Sequence, residues 1–337
     1  MQSWQCILAS TPEDSKGDIG TMLTAAVIGI GEMGRNHARI YAQMPDVRLV
    51  AVADSDAGKL AQVTRTWGAT IYTDYAKMLV TEKPDIVSVC VPTSAHFRVT
   101  QVAMQAGCHV LVEKPIAATL KEAWLLLKFA EIDKRILAVG HIERCNPIVT
   151  AVKRHIDGGD LGRIYRISTR RVGPSPVRVC DVGVTIDLAT HDLDIMRYLL
   201  QSEPVSYQAE LQWNKHGSQL SDGVAALIRF ESGAVGVLEC DWLSSAKERT
   251  LVVTGAEGVI TADYLSQTAV IEFEPGERVS IGVPYGEPLL VELRSFAAAV
   301  RGEGKPAATG EDGLKALAMA LRILEVGTKS GQITRTN

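Results

Sequence analysis

The stretch TAAVIGIGEMGRNHARIYAQ, residues 24–43, decides the fold of this chain. An apolar run typical of a buried strand leads into Gly29-Ile30-Gly31-Glu32-Met33-Gly34, and a helical pattern follows. Glycines at such a junction allow a tight turn and let backbone N–H groups approach a pyrophosphate at the helix N-terminus. Because the string lies between a strand and a helix, it predicts a dinucleotide-binding unit rather than an ordinary turn.

The next strand, VRLVAVAD (47–54), ends in Asp54, twenty residues after Gly34. A carboxylate there accepts hydrogen bonds from both ribose hydroxyls and repels a 2′-phosphate, so NAD is predicted in preference to NADP. The predicted cofactor site comprises Gly29, Ile30, Gly31, Glu32, Met33, Gly34, Asp54, Ser55, Val91, Pro92, Thr93, His96, Glu113, Lys114 and Tyr285. His37 is predicted to be a surface residue of the first helix.

Strand and helix patterns keep alternating up to about residue 142, which predicts a doubly wound parallel sheet. In such sheets ligands bind beyond the carboxyl ends of the strands. Val91-Pro92-Thr93 and Glu113-Lys114-Pro115 both fall at these ends. The strand before Lys114 is continuously apolar, so a functional lysine held rigidly at the crevice is predicted.

The second half changes character, because several strand patterns follow one another without helices between them. The strands are predicted at 163–171, 204–213, 223–230, 234–243 and 249–258. This pattern predicts an α+β domain with a large, mostly antiparallel sheet. The chain is therefore divided into a flexible extension (1–21), an NAD-binding Rossmann domain (22–142) and a substrate-binding and oligomerisation domain (143–337).

One helical pattern interrupts these strands and carries TIDLATHDLD, residues 185–194. Its apolar residues Ala189, Leu193, Met196 and Leu200 form a stripe that should pack on the sheet. Asp187 and His191, four residues apart, lie on another side of the predicted helix. Taken alone, the pair is either an ordinary solvated face or an acid/base unit.

Bulk properties exclude several classes of function. The formal net charge of −4 gives no reason to expect nucleic acid, and no apolar run is long enough for a bilayer span. The six cysteines show no CxxC spacing and the histidines no metal-ligand spacing, so no metal site is predicted. With a poor signal peptide at residues 1–20, these features predict a cytoplasmic protein.

The motifs GIGEMG, VPTSAH, VEKP and D-x-x-x-H, in this order, resemble the Gfo/Idh/MocA oxidoreductases. The resemblance implies a Rossmann domain followed by a domain with a large antiparallel sheet, a sugar between them, and Lys114, Asp187 and His191 as the catalytic group. GHIERCNP (140–147) and the stretch 170–199 are similar to the subgroup of UDP-N-acetylglucosamine 3-dehydrogenases. That likeness implies a 3-keto UDP-sugar product, used by an aminotransferase to make a 3-amino sugar, for example for lipid A of lipopolysaccharide.

Oxidation of a secondary alcohol needs a base for the hydroxyl proton, and a neutral histidine suits this task. His191 is the predicted base, Asp187 its orienting carboxylate, and Lys114 the donor that stabilises the developing alkoxide. The reverse assignment of Lys114 and His191 stays open. The predicted substrate site comprises Lys114, Glu143, Arg144, Asn146, Arg171, Arg178, Asp187 and His191, in which arginines, including Arg170, are candidates for the diphosphate.

Three alternatives remain: another UDP-sugar such as a UDP-N-acetyl-hexosaminuronate, a free sugar or polyol such as inositol, and a non-catalytic NAD-binding sensor. The apolar residues on both faces of GVAALIRF and AVGVLECDWL (223–230 and 234–243) further predict an exposed apolar sheet face. Such a face is unusual on a monomer, so a homodimer or homotetramer built through the C-terminal sheet is expected.

Overall fold

The computed structural model of the chain describes residues 22–175, 181–213, 220–273 and 276–333. The predicted N-terminal extension (1–21) and Arg178 lie outside these ranges. Within them, the helices are too short or too polar to cross a bilayer.

Six parallel strands form the first sheet. They are β1 (Leu23–Ile28), β2 (Val47–Ala53), β3 (Thr70–Tyr72), β4 (Ile86–Val89), β5 (His109–Glu113) and β6 (Leu137–Gly140). The connecting helices are α1 (Glu32–Gln43), α2 (Ala57–Trp67), α3 (Tyr75–Glu82), α4 (Thr93–Gln105) and α5 (Leu120–Ile132). The strand order is β3-β2-β1-β4-β5-β6, which confirms the predicted doubly wound Rossmann sheet. The order reverses between β1 and β4, where such sheets bind ligands.

The glycine motif closes the turn between β1 and α1 through tight backbone contacts. Gly29 has a φ of +91°, and a Cβ there would lie 2.5 Å from the carbonyl oxygen of Cys90. A Cβ on Gly34 would lie 1.8 Å from the carbonyl oxygen of Gly29. These two glycines are therefore required by the close packing of the turn.

Eight strands form the second sheet. They are β7 (Ile164–Pro174), β8 (Pro204–Gln212), β9 (Gly223–Phe230), β10 (Val235–Asp241), β11 (Leu243–Gly255), β12 (Gly258–Asp263), β13 (Thr268–Phe273) and β14 (Glu277–Ile281). Their order is β14-β13-β12-β11-β7-β10-β9-β8, and β7 and β10 are the parallel neighbours. The mostly antiparallel second sheet is thus confirmed, while β12, β13 and β14 were not predicted as separate strands.

The remaining helices are α6 (Pro147–Gly158), α7 (Val184–Asp187), α8 (Ala189–Leu200), α9 (Pro288–Val300) and α10 (Gly310–Ile333), with a 3-10 turn at Ile142–Cys145. The helix predicted across 185–200 is in fact two helices that meet at Leu188. Ala189, Leu193 and Met196 are fully buried, as the predicted stripe requires. The junction at Leu188 lies between Asp187 and His191 in sequence.

The C-terminal helices return to the first sheet. Leu289, Leu293 and Phe296 of α9 are buried in the same apolar cluster as Val27 of β1 and Tyr41 of α1. A bridge between Thr309 and Ala138 ties the start of α10 to β6. Helix α9 therefore completes the core of the nucleotide-binding half, although it follows the second sheet in sequence.

One face of the second sheet packs against α6, α8 and α10, while the other carries a partly exposed row of mainly apolar side chains, called the apolar row below. The row crosses neighbouring strands at Leu227, Val237, Ser168, Val252, Thr261 and Val270. Arg170, Glu239 and Glu248 form ion pairs on the same face, so it is more mixed in character than the sequence predicted.

We propose that copies of this chain associate through the apolar row. Replacing Leu227, which is 47% exposed, by Glu should lower the molar mass seen by light scattering from that of a dimer or tetramer to that of a monomer. Ile132→Glu changes an exposed residue of α5 and should leave the mass unchanged. A wild-type chain that scatters as a monomer contradicts the proposal.

Candidate active site

A cleft of about 1250 Å³ opens at the carboxyl ends of the first sheet and extends to the second sheet. It is large enough for a dinucleotide together with a second ligand. Seventeen of the predicted site residues line it: Gly29, Gly31, Glu32, Met33, Asp54, Ser55, Val91, Pro92, Thr93, His96, Glu113, Lys114, Glu143, Asn146, Arg171, Asp187 and His191.

Lys114, at the end of β5, reaches across the cleft to the C-terminus of α7. Its Nζ donates to the Asp187 carboxylate Oδ1 at 2.9 Å and to the Asp187 carbonyl oxygen at 2.7 Å. Both side chains are largely buried, with 14% and 7% of their surface exposed. An ammonium has three N–H donors, so one remains for a hydroxyl oxygen in the cleft.

His191 lies on α8 beside this pair but is not held by it. Among the described residues, no hydrogen bond joins its imidazole to Asp187, and its buried Nδ1 has no partner. The predicted hydrogen bond by which Asp187 would orient this ring nitrogen is therefore not formed. The carboxylate positions Lys114 instead.

The imidazole of His191 is suited to accept a proton. Burial and the nearby ammonium of Lys114 hold its pKa well below the ordinary value of 6.5. Its Nε2 is the ring nitrogen left open towards the cleft, since Nδ1 is enclosed. A neutral ring can accept the proton of a hydroxyl group, and the fixed cation beside it can stabilise the alkoxide that forms.

Two further acids of α8 anchor the arginines that the sequence assigned to a diphosphate. Arg171 makes a two-pronged ion pair with Asp192, at 2.7 and 3.1 Å, and a third bond to Glu143 at 2.8 Å. Arg144 pairs in the same way with Asp194, at 2.6 and 2.7 Å. Arg171 is 2% exposed and its charge is neutralised, so a diphosphate-binding role is not supported for it.

The structure does not support the predicted role of Arg144 in binding the diphosphate. This residue also contacts Asp312 of α10 at 3.0 Å and is absent from the cleft lining, so it secures helices rather than substrate. Arg170 is not a diphosphate ligand either, because it points to the outer face of the sheet and pairs with Glu239 and Glu248. Asp192, for which the sequence offered no role, is the buried counter-ion of Arg171.

Removing one partner of the Arg171–Asp192 pair should lower the stability of the folded protein. Asp192→Ala is expected to lower the free energy of unfolding by about 3 kcal/mol, because a buried guanidinium would keep a single carboxylate partner. Glu239→Ala removes an exposed partner of the adjacent Arg170 and should cost less than about 1 kcal/mol. Urea unfolding of both variants measures the difference, and equal losses contradict the assignment.

The cofactor side of the cleft fits a dinucleotide. Asp54 lies at the end of β2, where its Oδ2 accepts the Ile30 N–H at 2.7 Å and its Oδ1 accepts the Asp56 N–H at 2.9 Å. Gly31 precedes α1, and a Cβ built on it meets nothing within 4 Å. The open space beside this helix N-terminus is where a pyrophosphate would approach.

Gly31→Ala tests this assignment. Gly31 has a φ of −74°, so alanine fits the backbone, but its methyl group would occupy the space beside the pyrophosphate. We expect NADH affinity to fall by about tenfold while the melting temperature changes little. Fluorescence titration with NADH and a thermal scan of the same sample make the comparison, and unchanged affinity would move the pyrophosphate elsewhere.

Several predicted cofactor residues act through their contacts with the loops. Glu113 accepts from the backbone N–H of Lys114 at 3.1 Å and pairs with His37 at 3.2 Å. Against the effect of burial, the hydrogen bond to His37 lowers the pKa of Glu113. The prediction of a surface His37 is thus wrong, because the ring is fully buried and lies within hydrogen-bond distance of Glu113 and Ser88.

His96 joins two strand-end loops instead of reaching freely for a ribose. Its ring nitrogens lie 2.7 Å from the Pro115 carbonyl and 2.9 Å from the Val91 carbonyl. Ile30 and Gly34 lie beneath the cleft, where Ile30 is fully buried. Tyr285 is 86% exposed and not part of the cleft lining, so its predicted approach to the nicotinamide is wrong.

Asn146 caps the N-terminus of α6, and both the oxygen and the nitrogen of its side-chain amide form hydrogen bonds within the protein. Its Oδ1 accepts from the Ile148 N–H at 3.2 Å, and its Nδ2 donates to Glu143 at 3.2 Å. Glu143 therefore bridges Arg171 and Asn146 at the edge of the cleft. In the described part of the chain, no group of three or more metal-ligating side chains is assembled.

Arg249 and Tyr264 line the cleft from the second sheet and were not predicted. One signal was available for Arg249, because strand alternation places it on the same side as the buried Leu251 and Val253. A charged residue at an inward position of a strand is a candidate for function. Tyr264 follows β12, a strand that was not predicted.

Comparison with known families matches both halves of the chain. Residues 23–141 match the model described as "Oxidoreductase family, NAD-binding Rossmann fold" (GFO_IDH_MocA), and residues 149–261 match the "GFO/IDH/MocA C-terminal domain". The scyllo-inositol 2-dehydrogenase (NAD(+)) of Bacillus subtilis is 32% identical over 304 residues, which cover 85% of this chain and 89% of that protein.

The UDP-N-acetylglucosamine 3-dehydrogenase of Acidithiobacillus ferrooxidans is 28% identical over 310 residues, which cover 89% of this chain and 96% of that protein. Its solved structure superposes with a TM-score of 0.83, covering 90% of this chain and 97% of the other. The likeness thus extends over both sheets and the cleft between them.

Proposed function

Because the chain belongs to the Gfo/Idh/MocA oxidoreductase family and is an NAD-dependent sugar or polyol dehydrogenase, we propose that it oxidises the 3-hydroxyl of UDP-N-acetylglucosamine to the 3-keto UDP-sugar. The observation that carries the dehydrogenase chemistry is the meeting of the Lys114–Asp187 pair and His191 in the cleft beside the dinucleotide motif. A non-catalytic sensor would have no need of that trio.

In the proposed reaction, Nε2 of His191 takes the hydroxyl proton as the O–H bond breaks. The free N–H of Lys114 donates to the same oxygen and stabilises its developing negative charge. Asp187 keeps the ammonium in place through its carboxylate and its carbonyl oxygen. Bound NAD would supply the acceptor for the hydride that leaves the carbon. The C=O bond forms as these transfers are completed.

The nucleotide-sugar substrate is supported by the relative that shares 28% identity across almost the whole of both chains. It is supported as well by the size of the cleft, about 1250 Å³, which exceeds what one small ligand needs. The 3-keto product would be a substrate for an aminotransferase, which would introduce the 3-amino group of a 2,3-diamino sugar.

A panel of substrates with NAD tests the proposal. UDP-N-acetylglucosamine, a UDP-N-acetyl-hexosaminuronate, free N-acetylglucosamine, glucose and myo-inositol are compared by kcat/KM from the absorbance of NADH. Mass spectrometry of the product, trapped as an oxime, then identifies the ketone. We expect UDP-N-acetylglucosamine to give the highest kcat/KM and, before trapping, a ketone two hydrogens lighter than the substrate, oxidised at carbon 3.

Inositol is the second candidate, because an inositol dehydrogenase is 32% identical to this chain. Efficient turnover of myo-inositol or glucose with none of UDP-N-acetylglucosamine would reverse the ranking. Oxidation of the uronate alone would retain the nucleotide sugar but change its identity.

A further inference from the structure

Arg249 is a cation in the cleft that has no counter-ion of its own in the part of the chain that the structure describes. In the β7–β11 pairing it stands directly opposite Arg171, so the two guanidinium groups are neighbours on one face of the sheet. Like charges in this position repel each other. Arg171 is neutralised by Asp192 and Glu143, whereas Arg249 makes no ion pair or hydrogen bond through its side chain within the described ranges.

Tyr264 presents a second unused donor beside it. The side chain is 4% exposed, its hydroxyl has no hydrogen-bond partner in the described residues, and it lines the same cleft. Its backbone N–H donates to the Arg249 carbonyl at 3.0 Å, and its ring lies 5.3 Å from the guanidinium of Arg171. Burial raises the pKa of this hydroxyl well above its usual value, so it keeps its proton.

The Arg249 guanidinium and the Tyr264 hydroxyl both need a hydrogen-bond acceptor. A guanidinium can only donate hydrogen bonds, and it is best satisfied by a planar or tetrahedral group of anionic oxygens. Glu143, an acid in the same cleft lining, is already bound to Arg171 and Asn146. The pyrophosphate of the dinucleotide is accounted for at α1, on the first sheet, whereas Arg249 belongs to the second.

We propose that Arg249, with the Tyr264 hydroxyl as a second donor, binds an anionic oxygen group of the substrate and makes the cleft select anionic sugars over neutral ones. This inference deepens the proposed function and rests on the chain's being a sugar dehydrogenase. Two sources share the required chemistry: a phosphate of a nucleotide sugar and the carboxylate of a uronic sugar.

The test compares Arg249→Gln, Arg249→Lys and Tyr264→Phe with Arg278→Gln, an exposed arginine of β14 as control. Each is assayed with UDP-N-acetylglucosamine, D-glucuronate, free N-acetylglucosamine and myo-inositol. Arg249→Gln should raise KM for the anionic substrate by about 10- to 100-fold, the effect of losing a charged hydrogen bond, with KM for NAD and for neutral sugars nearly unchanged. Arg249→Lys should lose less, and Tyr264→Phe less again.

Direct binding extends the test to variants that turn over poorly. Calorimetric titration of the NADH-loaded enzyme with UDP-N-acetylglucosamine, and separately with D-glucuronate, should show tight binding by wild type and weak binding by Arg249→Gln. Circular dichroism verifies that each variant is folded. If Arg249→Gln does not fold, Tyr264→Phe and Arg249→Lys are judged by the same ratio of anionic to neutral KM.

The outcomes separate the two proposals. Oxidation of UDP-N-acetylglucosamine with a KM that Arg249→Gln leaves unchanged overturns the anion site and retains the proposed function. Arg249-dependent oxidation of D-glucuronate, with no turnover of UDP-N-acetylglucosamine, overturns the proposed function and retains the anion site. Equal losses for anionic and neutral sugars, or no binding of either anionic compound to wild type, overturn the inference.

Discussion

Lys114→Met is expected to lower kcat by about 10³-fold, because the ammonium that stabilises the developing alkoxide is lost while the side chain keeps its length. The buried Asp187 carboxylate would also lose the donor that lies 2.9 Å away. NADH affinity should stay within about threefold of wild type, since the pyrophosphate and ribose contacts are elsewhere. Single-turnover absorbance gives the rate, and fluorescence titration gives the affinity.

Lys128→Met is the matched control, because it removes an exposed lysine of α5 whose partner is Glu131. It should leave both quantities unchanged. Lys114→Arg retains the charge but not the compact geometry, so it should recover part of the rate. A Lys114→Met enzyme with more than about a tenth of the wild-type kcat would remove this residue from the chemistry.

His191→Asn is the second large effect: kcat/KM should fall by about 10²- to 10⁴-fold, the usual contribution of a general base. His155→Asn, on the surface end of α6, is the control with an ordinary surface ion pair. NADH binding should survive both changes. Wild-type rates in His191→Asn, together with a loss in Lys114→Met, would exchange the two roles in favour of lysine as the proton acceptor.

The pH profile distinguishes these schemes further. A base must be unprotonated, and burial beside Lys114 holds the pKa of His191 well below 6.5. Rates in wild type should therefore persist as the pH falls through 6.5, and decline only in more acidic solution. The lowered pKa of His191 also makes the stability of the fold depend on pH. Below pH 6.5 the unfolded chain binds a proton that the native imidazole does not, so acid favours unfolding. An acidic limb centred at or above pH 6.5 would contradict this assignment.

The parts of the fold that depend on local pattern were predicted correctly. Each of these patterns, such as the strand–glycine–helix junction or the continuously apolar run before Lys114, lies within about twenty residues of sequence. The order of such patterns along the chain then predicts both sheets. The junction at Leu188 was missed because no glycine or proline interrupts the helical pattern there. Only the tertiary contact of Lys114 with the end of α7 reveals why the helix is divided there.

The candidate site shows a similar division. Sheet topology placed Lys114 at the crevice, the family resemblance added Asp187 and His191, and the cleft does contain all three. The arginines were assigned less well, because a charge in sequence carries no information about its partner. Arg144 finds its acid fifty residues away, and Arg171 finds Asp192 twenty-one residues away. Arg249 becomes notable only when its neighbours are seen to be satisfied without it.

The return of α9 to the first sheet limits how far this chain can be treated as two modules. A fragment ending at residue 142 would lack Leu289, Leu293 and Phe296, which bury the side chains of β1 and α1. Its exposed apolar surface would favour aggregation over independent folding. A minimal nucleotide-binding protein would therefore have to join residues 22–142 to residues 288–333 through a linker, as would a permuted chain that keeps these segments together.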